Sequence, residues 1–159
     1  MSHFDSALIA FRPVDEADAV AISELITCLC ERFIIDAFPE EGKSNMLLAC
    51  TPAAIAKCIN DGFDYEVATA NGEIIGVVAT RDNSHLYHLF VREQWHGRGL
   101  ASALWHRAKS RCIMRGHRGP FSVNASTNAV GLYERLGFVP TASQRVVGGV
   151  TFYPMLAAH

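Results

Sequence analysis

The hydrophobic pattern of this chain changes period several times, and each change marks an element. Residues 7–12 (ALIAFR) are an apolar run that predicts a first strand. Pro13 ends it and Asp15 serves as an N-cap. Apolar residues then return at helical spacing from Ala17 to Phe33, with Val20, Leu25, Ile26, Leu29 and Phe33 on one side. Asp36 to Asn45 (DAFPEEGKSN) reads as an acidic, turn-rich loop, and Met46 to Cys50 as a short helical piece. Thr51-Pro52 starts another helix, which ends at the glycine signal Asn60-Asp61-Gly62.

The period then shifts to two. Tyr65, Val67 and Thr69 alternate as a strand, Asn71-Gly72 is a hairpin signal, and Ile74 to Thr80 is the return strand. After a turn at Asp82-Asn83, His85 to Val91 (HLYHLFV) reads as a third strand. Simple alternation puts His85, Tyr87, Leu89 and Val91 on one face and Leu86, His88 and Phe90 on the other. A polar loop with two glycines follows. Leu100, Leu104, Ala108 and Cys112 then recur with the spacing of a helix face. Beyond the break at Gly116, Gly119 and Pro120 come a short strand (FSVN), a helix from Asn128 to Leu136, and two strands at Phe138–Gln144 and Val150–Met155. Gly148-Gly149 joins these two strands. The order β-α-α-α-β-β-β-α-β-α-β-β makes the chain α+β, one domain over residues 1–159 with one mixed sheet. The helical crossover after residue 91 requires parallel neighbours there.

Composition narrows the function classes. The chain has 159 residues, half of them hydrophobic, and no apolar run approaches the ~20 residues of a membrane span. The stretch MSHFDSALIAF lacks the pattern of a signal peptide. A net charge of −2 argues against general nucleic-acid binding. Cys28, Cys30, Cys50, Cys58 and Cys112 form no CxxC pair, which reads as free thiols in a reducing cytoplasm rather than a metal site.

The chemistry concentrates between His85 and Ala108. A strand, a glycine turn and a helix N-terminus leave free N–H groups pointing out of a first helical turn, where the dipole favours an anion. Glycine lets that backbone approach a phosphate closely. Gly97-x-Gly99-x-x-Ser102 is not a dinucleotide fingerprint. Five residues separate Val91 from Gly97, and no carboxylate lies around Gly116 to Phe121. The Gly-Lys-Ser/Thr of a Walker A loop is absent.

The loop instead resembles the pyrophosphate loop of the GNAT superfamily of N-acetyltransferases, whose pattern is Gln/Arg-x-x-Gly-x-Gly/Ala. Here it stands as His96-Gly97-Arg98-Gly99-Leu100-Ala101, with His96 as a departure. A second similarity lies at Ala129, Tyr133, Glu134, Leu136, Gly137 and Phe138. The family's Asn seven residues before the Tyr is Ser126 here, with Asn124 and Asn128 nearby.

The resemblance implies a GNAT-type acyl-CoA N-acyltransferase fold: helices around a mixed, mostly antiparallel sheet of about six to seven strands, splayed between 85–91 and 120–124. It implies acetyl-CoA as co-substrate, with no metal needed. The pantetheine arm would lie along Leu89, Phe90 and Val91, and the pyrophosphate on Gly97, Arg98, Gly99, Leu100, Ala101 and Ser102. Asn124 and Tyr133 complete the cofactor set. Tyr133 is the implied general acid. His85 is the implied base, unless a water chain ending on Asp36, Glu40 or Glu41 takes that role. The acceptor, a small-molecule or peptide amine, would sit between Phe33–Asn45 and residues 144–153. A homodimer is compatible with the family; nucleic-acid and membrane partners are not expected. Two rival readings stand beside this one. A non-catalytic acyl-CoA-binding or sensory module would bind the coenzyme without turnover. An interaction domain would not bind it.

Overall fold

The computed structural model describes residues 8–158, so Ala7 of the first predicted strand lies outside the described residues. That strand is β1 (Ile9–Pro13). It leads through a 3-10 turn capped by Asp15 into α1 (Ala19–Phe33), whose buried stripe includes Ile22, Leu25, Ile26, Leu29 and Cys30. Two residues assigned to that stripe are exposed instead, Val20 at 65% and Phe33 at 38%. Position 20 falls on the far side of the helix from Ile22, and Phe33 sits in the last turn.

The segment expected as an acidic loop is largely helical. α2 spans Glu40–Ala49, with Pro39 before it and Glu40 and Glu41 in the first turn, where the dipole favours carboxylates. Only Gly42 of α2 is buried, so no apolar stripe marks this helix in the sequence. α3 (Pro52–Asn60) starts as predicted, with Thr51 Oγ1 accepting from the Ala54 N–H at 3.2 Å.

β2 (Asp64–Ala70), β3 (Glu73–Arg81) and β4 (His85–Val91) form the expected antiparallel meander. Asn71 and Gly72 take the positive φ values, 53° and 77°, that their two-residue turn requires. α4 (Leu100–Met114) crosses over to β5 (Phe121–Ala125), which is parallel to β4, and α5 (Val130–Arg135) follows. Of the strand predicted at 138–144 only β6 (Phe138–Pro140) is extended, and a strand that was not predicted, β7 (Arg145–Val147), follows it; both are antiparallel to β8 (Val150–Ala157). The Thr141 N–H still donates to Pro154 O at 3.0 Å, but Pro154 has no N–H to return the bond, so β6 is short. The sheet order is β1-β2-β3-β4-β5-β8-β6 with β7 beside β8, eight strands where about six to seven were expected.

Each sheet face has its own core. One face packs Leu86, Leu89, Phe121 and Val123 under Leu100, Leu104 and Trp105 of α4. The other packs Val67, Val77 and Ala79 under α1 and α3. Gly76 lets α4 come close, because a Cβ there would lie 2.9 Å from Leu104 Cδ1. α4 is also fixed by charge. Arg107 grips Glu66 with two bonds of 2.8 Å, and Arg111 bonds Glu66 at 2.9 Å and Asp64 at 2.7 Å. Arg115 adds a bond to Asp64 at 3.0 Å. Arginines four apart on a helix meet carboxylates two apart on a strand because both spacings keep one face. The arginines hold both carboxyls below their ordinary pKa despite burial, which works against them.

β4 departs from simple alternation. Its register with β3 jumps between Ala79↔His88 and Thr80↔Leu86, so Tyr87 is the extra residue of a bulge. The predicted faces are corrected accordingly. Leu86, Leu89 and Val91 lie in the core under α4, whereas Tyr87 and Phe90 pack against the opposite core. His88 shares that opposite side, its Nδ1 3.1 Å from Tyr65 Oη.

Candidate functional site

The sheet parts at one place. β4 and β5 share only the pairs His85↔Ser122 and Leu86↔Val123. Beyond them β4 stays paired to β3 as far as Val91, and β5 stays paired to β8 as far as Ala125. The opening therefore begins at the bulge and widens toward the C-terminal ends of two parallel strands, as the splay predicted.

Backbone direction shows which groups face the gap. The Arg92 N–H donates to Ile75 O at 2.9 Å, so residue 92, and by alternation Phe90, turns to β3. Leu89 and Val91 then turn their N–H and C=O groups into the gap. Of the three residues assigned to the pantetheine arm, Leu89 and Val91 have backbone there, while Phe90 has its backbone in the β3 ladder. On the opposite bank Asn124 is exposed, one residue past the last β4–β5 pair.

The mouth of the gap is the glycine loop. Gly97 and Gly99 have φ of 75° and 81°, values a side chain resists, and nothing lies within 4 Å of where a Cβ would stand on either. The first bond of the α4 ladder runs from the Ala103 N–H to Gly99 O at 3.0 Å. The N–H groups of Leu100, Ala101 and Ser102 precede that ladder and point out of the first turn. Leu100 is buried and anchors the turn from below, whereas Ser102 is exposed. The Arg98 guanidinium lies 5.0 Å from the Trp95 ring centre, beside the loop. This arrangement can hold an anion with backbone dipoles alone.

Tyr133 sits on α5 in the same buried cluster as Leu89, Val91, Leu100 and Ala125. Its ring meets Phe138 edge-on at 5.8 Å, and the residue is buried. Burial raises its pKa, so the phenol keeps its proton at neutral pH. His85 occupies the closed end of the splay, with Nδ1 2.7 Å from Ser122 Oγ. Burial and then Arg81 push its pKa down to about 4, so this imidazole is neutral at pH 7.

The two segments assigned to the acceptor side do meet. Asn45 Nδ2 donates to Gly148 O at 2.7 Å. Gly42 backs onto Gly149 so closely that a Cβ on Gly42 would lie 2.0 Å from Gly149 O. Asp36, Glu40 and Glu41 are exposed on this wall, and Glu40 faces Lys43 at 4.0 Å.

Three features were not found from the sequence. The His88–Tyr65 pair depends on the bulge. The Arg–carboxylate lattice was readable in the spacing of Arg107, Arg111 and Arg115 against Asp64 and Glu66. The third is a bond from His96 Nε2 to Val91 O at 2.6 Å. Among the described residues no group of three or more His, Cys, Asp or Glu is placed to hold a metal, and no helix is long and apolar enough to cross a membrane.

Known proteins share this architecture. A GCN5-related N-acetyltransferase from Rhodopseudomonas palustris superposes with a TM-score of 0.82 at 22% identity, covering 99% of this chain and 100% of that one. PaiA N-acetyltransferase from Thermoplasma acidophilum, solved in complex with coenzyme A, matches at 0.76 and 13% identity over 95% and 99% of the two chains. The apo form of YjaB from Escherichia coli matches at 0.71 and 16% identity over 93% and 96%. At these identities the likeness establishes the fold. The family model described as "Acetyltransferase (GNAT) domain" matches residues 34–158, most of the chain and the whole of the parted-strand site. This chain therefore belongs to the GNAT acetyltransferase family, and the activity its membership supports is acyl transfer.

Proposed function

We propose that the protein is an acetyl-CoA-dependent N-acetyltransferase that moves the acetyl group to a primary amine by direct attack in a ternary complex. The observation that carries this reading is the continuity of the gap with the glycine loop. One strand, β4, offers the gap-facing backbone of Leu89 and the N–H of Val91, whose carbonyl His96 already holds, and runs straight into the N–H groups at the start of α4. A ligand with an extended amide-bearing arm and a pyrophosphate matches that sequence of surfaces.

In this reading the pyrophosphate rests on the N–H groups from Gly97 to Ser102, and Arg98 adds a charge beside them. The arm pairs with the backbone of Leu89 and the N–H of Val91 across from Asn124. A gap-facing N–H at Leu89 or Val91 is the donor for the thioester oxygen as it gains charge. The amine attacks as the free base, its nitrogen loses a proton, and the C–S bond breaks. Tyr133 gives its proton to the departing thiolate, a role suited to a phenol that stays protonated. The amine's proton goes to His85 or to a water chain ending on the acidic wall. With a pKa of about 4 His85 is a weak base, so the water route is favoured. The carboxylates of Asp36, Glu40 and Glu41 suit an acceptor that carries positive charge elsewhere.

A panel of amines, including polyamines and peptide N-termini, incubated with the protein and acetyl-CoA tests this. Thiol release coupled to acetylation of at least one amine is the expected result. Coenzyme binding without thiol release on any amine would favour the non-catalytic module.

A further inference from the structure

We infer that His96 is a positioning residue that sets the register between the pyrophosphate loop and the cofactor-facing edge of β4. This deepens the acyl-CoA reading and rests on it. Val91 is the last residue of β4 and is only 6% exposed. Its carbonyl faces the gap, because Arg92 commits its own N–H to Ile75 O at 2.9 Å and its Nε to Ile74 O at 2.9 Å. β5 cannot supply a partner, since the β4–β5 ladder ended at Leu86↔Val123. A buried carbonyl at the end of an opened strand is costly to leave unpaired.

His96 Nε2 fills that vacancy at 2.6 Å. A carbonyl only accepts, so Nε2 carries the hydrogen and the tautomer is fixed. The bond closes residues 91–96 into a ring, completed inside by Trp95 N–H to Arg92 O and His96 N–H to Glu93 O. Gly97 follows at once with φ 75°, and the N–H groups of the α4 first turn come next. One side chain thus fixes the distance from the edge that would pair with the arm to the N–H groups that would hold the pyrophosphate. A ligand touching both surfaces gains from that register, and a ligand touching one does not.

The test compares the parent with His96→Ala and His96→Gln, using calorimetric Kd values for two probes. Coenzyme A spans both surfaces, whereas 3′-phospho-ADP carries the pyrophosphate end alone. Thermal unfolding of each variant checks the fold. In His96→Ala the coenzyme A Kd should rise about tenfold while that of 3′-phospho-ADP changes less than about twofold. His96→Gln, whose amide also donates through Nε2, should return coenzyme A to within about threefold of the parent. Equal weakening of both probes would mean a collapsed loop and would overturn the register role. Parent-like coenzyme A binding by His96→Ala would overturn it too. A parent chain that binds neither probe sinks the acyl-CoA reading itself, a result separate from either.

Discussion

β4 starts as an interior strand and finishes as an edge. At His85 and Leu86 it is paired on both sides, to β3 and to β5, with Leu86 buried. At Leu89 and Val91 it is paired on one side only. α4 divides the same way. Its body is fixed by Leu104 against Gly76 and by three arginines on Glu66 and Asp64. Its first turn holds N–H groups that no helical bond uses. The same two elements are thus supporting at one end and available at the other. Unpaired backbone that would invite aggregation on a free sheet edge is here enclosed in a cleft, where it can take a ligand.

Breaking the supporting ends should cost stability and leave coenzyme affinity per folded molecule alone. The largest effect is expected for Leu104→Ala, which removes a fully buried side chain and should lower the unfolding free energy by about 3 kcal/mol in a urea titration. Tyr133→Phe tests the available end. It should lower kcat about a hundredfold in the thiol-release assay with coenzyme Kd and Tm nearly unchanged. An unchanged kcat would remove the tyrosine from the chemistry. Glu66→Gln should cost about 2 kcal/mol, because Arg107 and Arg111 lose a charged acceptor. Coenzyme affinity should stay at the parent value.

Acid sharpens the comparison further. His88 is buried, and that burial alone pushes its pKa from 6.5 down to about 3. The folded state holds it neutral while the unfolded chain protonates it below pH 6.5. Its share of stability is complete above pH 6.5 and fades as pH falls toward 3. The loss reaches roughly 2 kcal/mol by pH 5. His85 adds loss between pH 6.5 and about 4. The depressed carboxyls of Asp64 and Glu66 add more below their ordinary range. Urea titrations at pH 7 and pH 5 should show a smaller drop in His88→Phe than in the parent.

Local signals were legible in the sequence. Asn71-Gly72 and Thr51-Pro52 each encode a backbone conformation within a few residues, and the structure uses both as read; the glycines of the 97–99 loop take the positive φ that glycine allows. The crossover from β4 to β5 and the gap between them followed from element order and from the family resemblance. What escaped depends on distant partners. α2 buries a single residue, Gly42, whose role is to let Gly149 approach, a contact over a hundred residues along the chain. The bulge at Tyr87 is set by register with β3, and HLYHLFV is apolar or aromatic enough to fit either phase. The bond from His96 to Val91 needs both the opened edge and the ring of residues 91–96. Motif comparison marked His96 as a departure without giving its partner.

The most direct test of the central claim is thermal unfolding of the parent and of Ser102→Glu, each with and without acetyl-CoA. A carboxylate at this exposed first-turn position suits the helix dipole and should not lower Tm by itself, but it opposes a bound pyrophosphate. At ~100 times Kd, acetyl-CoA should stabilise the parent by roughly 2.7 kcal/mol, a rise of about 5–10 °C, and Ser102→Glu should show no rise. An unshifted parent, or a full shift in Ser102→Glu, would contradict the assignment of the parted strands and the glycine loop to acyl-CoA.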